Sequence, residues 1–279
     1  MLSIILGGAV LALQGARVAA ASEFAAEGNM RQLHWALRSD PNNAALHSRL
    51  GLLYQWEGSD YLLAVQHLRR AAQLAPHVAA YWGDLGNGCE FTGEIDCARD
   101  AYEKAAAMAP MRPELEWNLA NYYVRAGDKE QVLEHFARYL RFDAPMRVQA
   151  LSILNRTFDD PGIVWQKVIR SSENPLIELT YLKYVKAQQP QISTAAWWKE
   201  VIAQHRPFPA KAAIPYIDRL IDARSYQEAA SAWSDLQALG LIGRQKNDEL
   251  VYNGHFDQEL LNGGFDWHVQ QQPYLESDL

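Results

Sequence analysis

An all-α helical solenoid is the fold class this sequence predicts, and three observations carry the prediction. The first is a turn signal at a fixed interval. Gly58, Gly93 and Gly127 are each followed within two residues by an acid (Gly58-Ser59-Asp60, Gly93-Glu94, Gly127-Asp128), at spacings of 35 and 34 residues. A glycine reaches the left-handed conformation that closes a helix, and an acid can cap the helix that follows. The second is helical spacing of apolar residues over roughly twelve positions on either side of each turn. The third is the period itself, since about 34 residues made of two helices and a tight turn mark a stacked helical repeat.

The chain opens on an uncharged run, Leu2 to Ala16, which Arg17 interrupts. Its apolar centre, Ile4 to Leu13, has the length of a secretory h-region and is short for a membrane span. Ala19-Ala20-Ala21 supplies the small residues a signal peptidase needs, while only Met1, Leu2 and Ser3 stand where a basic n-region would be. The alternative is a buried first helix of the soluble fold. Two glycines and the lack of a polar face argue against it. Residues 1–21 are therefore expected to be a signal peptide or membrane anchor, and the one point of membrane contact.

Three copies of the repeat follow. The clearest, Ala79 to Met111, holds Trp82, Leu85-Gly86, Ala98, Tyr102, Ala105 and Pro110. In that order these residues resemble the tetratricopeptide repeat (TPR) family, departing where Cys89 takes the place of a first-helix tyrosine. The copy before it, residues 44–77, has Leu50-Gly51, Tyr54, Leu68, Ala71 and Pro76, with one extra residue near its turn. The copy after it, residues 113–145, has Leu119-Ala120, Tyr123, Val132, Phe136 and Tyr139, with its proline one place late. Leu33, Ala36 and Pro41 fit a second helix alone, so residues 22–43 form a half copy whose first helix is replaced by the leader. The packing logic agrees with the match. Gly86, Ala98 and Ala105 are small where the two helices of one repeat approach, and Leu68, Tyr102 and Phe136 are large where one repeat packs on the next.

The resemblance implies a right-handed superhelix whose concave groove is lined by first-helix side chains. On this chain those positions include Ser48, Arg49, Gln55, Asn87, Trp117, Asn118, Asn121 and Arg125. Asparagine there offers both a donor and an acceptor to an extended peptide backbone. Arg49 and Arg125 could take a carboxylate, although the basic set of the carboxylate-clamping variant of the family is matched only in part. The implied partner is a protein or peptide. A solvated polar face is the plainer reading of any one of these residues.

From Arg147 to Leu241 the helical pattern continues and the repeat fades. Asp160-Pro161 and Asn174-Pro175 look like N-caps followed by proline at the first helical position. Helices are expected near 147–157, 161–171, 175–188, 193–205, 209–223 and 225–239, the last two forming a worn repeat with Ile217, Leu220, Ala229 and Trp233. Trp165 and the Trp197-Trp198 pair are expected in the core, with a ligand platform as the alternative. Residues 146–243 are read as divergent helical repeats, continuous with 22–145 because no Gly/Ser-rich linker separates them.

After Gly243 the composition changes. Residues 250–257, Leu-Val-Tyr-Asn-Gly-His-Phe-Asp, have strand character around a turn pair, and Asn262-Gly263-Gly264-Phe265-Asp266-Trp267 follows. That phrase resembles the opening strand of jelly-roll domains of the carbohydrate-binding-module type, which implies a glycan partner. A β-sandwich needs about 100 residues, so residues 244–279 are expected to be the β-prone start of a truncated jelly roll. The alternative is docking on the last helices through Phe256, Phe265 and Trp267.

Composition excludes several functions. A net charge of −7 over 279 residues argues against nucleic acid and anionic membrane faces as partners. Thirty aromatic residues, nine of them Trp, require a real core. The eight histidines show no i, i+4 pair, and no zinc, phosphate-loop or nucleophile-elbow motif is present. The acidic pairs Asp159-Asp160 and Glu276/Asp278 suit a helix cap and a solvated tail. No catalytic residue, metal or cofactor is expected. Cys89 and Cys97 flank the turn of the clearest repeat. Either they bridge its two helices in an oxidising compartment, or Cys89 is a small buried residue and Cys97 a partly exposed one.

The function these features point to is a non-catalytic scaffold for protein–protein interaction, exported or anchored at the bacterial cell envelope and linked to polysaccharide assembly or export. The alternatives are a cytosolic adaptor or co-chaperone, with the leader as a first helix, and the recognition part of an enzyme whose catalytic domain lies beyond Leu279.

Overall fold

The structure, a computed structural model, describes residues 23, 26–57, 60–142, 145–245 and 251–269. The leader, residues 1–21, and Gly58 lie outside these. Among the described residues no helix is long and apolar enough to cross a membrane. The chain forms two compact units, Met1–His135 and Phe136–Leu279.

The first unit is built from α1 (Met30–Ser39) and three helical hairpins: α2 (Ala44–Trp56) with α3 (Tyr61–Leu74), α4 (Ala79–Thr92) with α5 (Ile95–Met108), and α6 (Pro113–Ala126) with the start of α7 (Lys129–Leu140). The half copy is present as α1, whose Leu33 and Ala36 join Leu46, Leu50 and Leu53 of α2 in one apolar cluster. Its N-cap Asn29 and Gln32 form a capping box, each side chain taking the other's backbone N–H. The turns close as their glycines require. Gly93 and Gly127 sit at φ 76° and 75°, and the next residue's N–H reaches back to the carbonyl of Cys89 or Tyr123. That is the Schellman closure, open to glycine because a side chain there meets the following carbonyl. The acids that follow divide. Asp60 and Asp128 cap α3 and α7. Glu94 does not cap α5; its carboxylate pairs with Arg69 at 2.6 Å.

Close approach within a hairpin is a glycine effect. A Cβ on Gly86 would lie 2.6 Å from Tyr102 Cδ1, and one on Gly51 would lie 2.7 Å from Leu68 Cγ. Leu68 and Tyr102 are therefore wedges inside their own repeats as well as contacts to the next. Leu68 also faces Gly88 of the following repeat, and Tyr102 meets Tyr122 at 5.9 Å between centroids. On the second helices, alanines flank these wedges one turn away on either side. Ala64, Ala71, Ala98 and Ala105 are wholly buried.

The second unit contains α8 (Arg147–Thr157), α9 (Pro161–Val164, continued by the turns described below), α10 (Pro175–Gln188), α11 (Ala195–Ala203), α12 (Ala210–Asp222) and α13 (Tyr226–Ala238). Asp160 and Asn174 cap α9 and α10, with proline next in each case. α9 widens into a π turn at Trp165–Ile169 and tightens into a 3₁₀ turn at Arg170–Ser172. Its tryptophan is core: Trp165 is buried, stacks on Trp197 at 5.2 Å and donates its indole N–H to Glu200. Trp198 is likewise buried and bonded to Asp235. Ile217, Leu220, Ala229 and Trp233 line the α12–α13 hairpin as the worn repeat requires.

The C-terminal segment corrects the sequence reading. Residues 251–269 form turns and bends, with no strand among the described residues. They dock on α12 and α13. Asp218 accepts the Gly264 N–H at 2.6 Å, Gly263 lies against Ile214, and Tyr252 and Phe265 meet the Trp233 ring edge to face at 5.0 and 5.6 Å. Phe256 stacks on Trp267 inside the segment at 5.0 Å between centroids. Local β-propensity loses here to burial of aromatic faces and to Asn253 and Asp266, whose buried side chains take the segment's own backbone groups.

Candidate functional site

The first helices α2, α4 and α6 present most of the residues that the family resemblance assigns to a groove. The structure ties them to one another. Gln55 on α2 donates its side-chain amide N–H to the side-chain oxygen Oδ1 of Asn87 on α4. Arg125 on α6 forks onto Glu90 of α4, Nε at 2.8 Å and Nη2 at 2.6 Å, and Glu90 also accepts the Tyr102 hydroxyl at 2.8 Å. Burial beside Glu90 raises the Tyr102 pKa, so the phenol stays a donor. Asn121 donates to the Trp117 carbonyl one turn back in its own helix. Arg125 is therefore not waiting for a ligand carboxylate. Glu90 already fills that role, and an incoming anion would have to displace a paired one.

Two features of this face escaped sequence reasoning. Asp84, half-buried on α4, lies beside the Ser48 hydroxyl of α2. Burial pushes its pKa up to about 6, against the opposing effects of Ser48 and the Arg112 charge. A half-buried carboxylate whose charge burial disfavours is a costly group to keep. Arg49 Nε is buried with no hydrogen-bond partner among the described residues. Trp117 and Asn118 are half-buried on α6. The face is thus polar, cross-linked between neighbouring first helices, and furnished with amides and indole. Such a surface can hold a peptide backbone with few side chains left to order.

Cys89 and Cys97 are joined as a disulfide between α4 and α5, with Cα atoms 5.9 Å apart. A further buried pair, His135 Nδ1 and Glu116 Oε2 at 2.8 Å, ties α6 to α7, with Tyr123 stacked on the imidazole.

Three histidines scattered in sequence are assembled by α1, α2 and α3. His47 Nδ1 faces His67 Nδ1 at 2.9 Å, and His47 Nε2 lies 3.1 Å from the Pro41 carbonyl. His34 Nε2 meets the Tyr54 hydroxyl at 2.8 Å, and Tyr54 stacks flat on His67. The Pro41 oxygen only accepts, so His47 carries its proton on Nε2 and its Nδ1 is an acceptor. His67 must then donate from Nδ1. Burial, reinforced by His47 and His34, lowers the His67 pKa to about 4, and burial lowers that of His47 as well. Linear spacing held no signal for this cluster, because its members come from three different helices.

No family model and no curated protein matches the chain. Solved structures do. MamA is 18% identical with a TM-score of 0.46, covering 57% of this chain and 91% of MamA. Pseudomonas aeruginosa PilF is 18% identical at a TM-score of 0.40, covering 81% and 90%. A tetratricopeptide repeat protein from Parabacteroides merdae is 14% identical at 0.45, covering 85% and 94%. The helical-repeat reading itself rests on the three hairpins, the Schellman turns at Gly93 and Gly127, and the close approach at Gly51 and Gly86.

Proposed function

We propose that the chain is a non-catalytic scaffold that holds an extended segment of a partner protein on the first-helix face of residues 44–126. The observation that carries this reading is the cross-linking of neighbouring first helices by Gln55–Asn87 and Arg125–Glu90. It leaves a preformed polar face, so binding a backbone costs little reorganisation. Half-buried Asp84, kept at a cost to stability, fits a surface selected for recognition.

A photo-crosslinking residue at position 118 tests the site in cells. A discrete protein adduct is expected there, and none from position 104 on the exposed side of α5. Equal labelling at both positions would remove the face from consideration.

We further infer that the protein works outside the reducing cytoplasm. The apolar leader and the Cys89–Cys97 bond support this, because disulfides persist in oxidising compartments. Protein isolated from cells and alkylated at once after denaturation is expected to expose no free thiol, and to fractionate with periplasm or membrane. Two free thiols in a cytosolic fraction would favour the adaptor alternative. The glycan link loses its basis with the jelly-roll strand.

A further inference from the structure

We propose that His47 and His67 form a site for one transition-metal ion, Cu(II) above Ni(II) and Zn(II), bound between their Nδ1 atoms and completed by water. The site belongs to the α2–α3 hairpin and is separate from the peptide face of the preceding reading.

Three observations carry it. The two Nδ1 atoms face each other from different helices at 2.9 Å. His47 turns its other nitrogen to the Pro41 carbonyl at 3.1 Å. A backbone acceptor on the far side of the ring is the usual support of a metal-binding imidazole, because it fixes the tautomer and leaves the inner nitrogen with its lone pair. Both rings are half-buried, so water and a small ion can reach them while the rings stay held. His67 is clamped by the Tyr54 ring stacked on it at 5.7 Å. In the metal-free chain one proton bridges the two nitrogens. On binding, the ion displaces that proton and sits to one side of the N···N line, about 2.0–2.1 Å from both nitrogens, while His67 passes the proton to its own Nε2 through solvent.

The separation selects the metal. Two nitrogens about 2.0–2.1 Å from a shared ion stand about 2.9 Å apart at a right angle and about 3.3 Å apart at the tetrahedral angle. The observed 2.9 Å is the right-angle value. Right-angle nitrogen ligation is the preference of Cu(II) and Ni(II), and Cu(II) heads the affinity order. Zn(II) would have to spread the two helices' side chains apart. Arg70, whose charge acts on His47, opposes any cation there.

The test is titration of Cu(II) into untagged full-length protein, without reductant so that Cys89 and Cys97 stay bridged. One equivalent is expected to bind, with the electron paramagnetic resonance signature of two imidazole nitrogens. Zn(II) should bind at least tenfold more weakly. His47→Ala and His67→Ala should each weaken Cu(II) at least tenfold, His205→Ala should leave it unchanged, and Arg70→Ala should tighten it. The spectrum of the unmodified protein keeps the test valid if a histidine variant misfolds. Fewer than two coordinated imidazoles, or Cu(II) affinity unchanged in both variants, overturns the site.

Discussion

Asp84 shows how a single residue can be expensive and retained. Its pKa near 6 in the folded chain stands above the 3.8 of a free aspartate. Between those values the folded chain keeps a proton that the unfolded chain has lost. Stability therefore falls as pH rises through that window and stays reduced above it. Asp84→Asn keeps an acceptor for Ser48 and removes the charge. It should raise stability at pH 7.5 by about 1–2 kcal/mol, a figure discounted from the full shift because the group retains some contact with water. Near pH 2.5, below both values, where the carboxyl is protonated folded and unfolded alike, the variant and the parent should unfold at the same urea concentration. A gain that persists at low pH would assign the effect to packing instead of charge. If Asp84 serves recognition, the stabler variant should bind its partner less well.

At the scale of elements, glycine positions separate two physical roles. Gly86 is a space requirement. Its missing Cβ would lie 2.6–2.8 Å from three atoms of the Tyr102 ring, which Glu90 anchors. Gly86→Ala should cost about 1–3 kcal/mol by overpacking. Gly127 is a conformational requirement, with φ 75° and nothing within 4 Å of a would-be Cβ. Gly127→Ala should cost about 1 kcal/mol, and Gly127→Asn less, since asparagine tolerates the left-handed region. Thermal melts of the three variants check the ranking, and equal losses for Ala and Asn at 127 would contradict the conformational account. These same local signals explain what was legible in sequence. The starts of α9 and α10 are legible because Asp160-Pro161 and Asn174-Pro175 write an N-cap and a first-turn proline into the chain. The C-terminal segment was misread because its Val, Tyr, Phe and Trp are strand formers locally, while α12 and α13 supply the aromatic and carboxylate partners that hold it as turns. Groove positions could be numbered from the repeat. Their pairing partners could not, because Glu90 meets Arg125, and His47 meets His67, only once helices stack.

For the molecule as a whole, the governing property of stacked repeats is that each unit touches only its neighbours, so stability is a sum of local and nearest-neighbour contributions. The Cys89–Cys97 bond offers a clean probe of that property, because it lies within a single hairpin and closes a short loop of sequence separation 8. In the chain-entropy account such a loop contributes about 2–3 kcal/mol. Reduction and alkylation should remove that stabilisation from α4 and α5 first. Amide exchange should accelerate most in residues 79–108, less in the adjoining helices 61–74 and 113–126, and not measurably in 210–238. A uniform acceleration along the chain would mean that the repeats unfold as one cooperative body, contrary to nearest-neighbour behaviour. The graded outcome would have a functional reading too. A first-helix face whose central hairpin loosens on reduction loses the Asn87 and Glu90 cross-links that preform it. Partner binding should therefore weaken in parallel with exchange in 79–92, and the crosslink at position 118 should fade in the reduced protein.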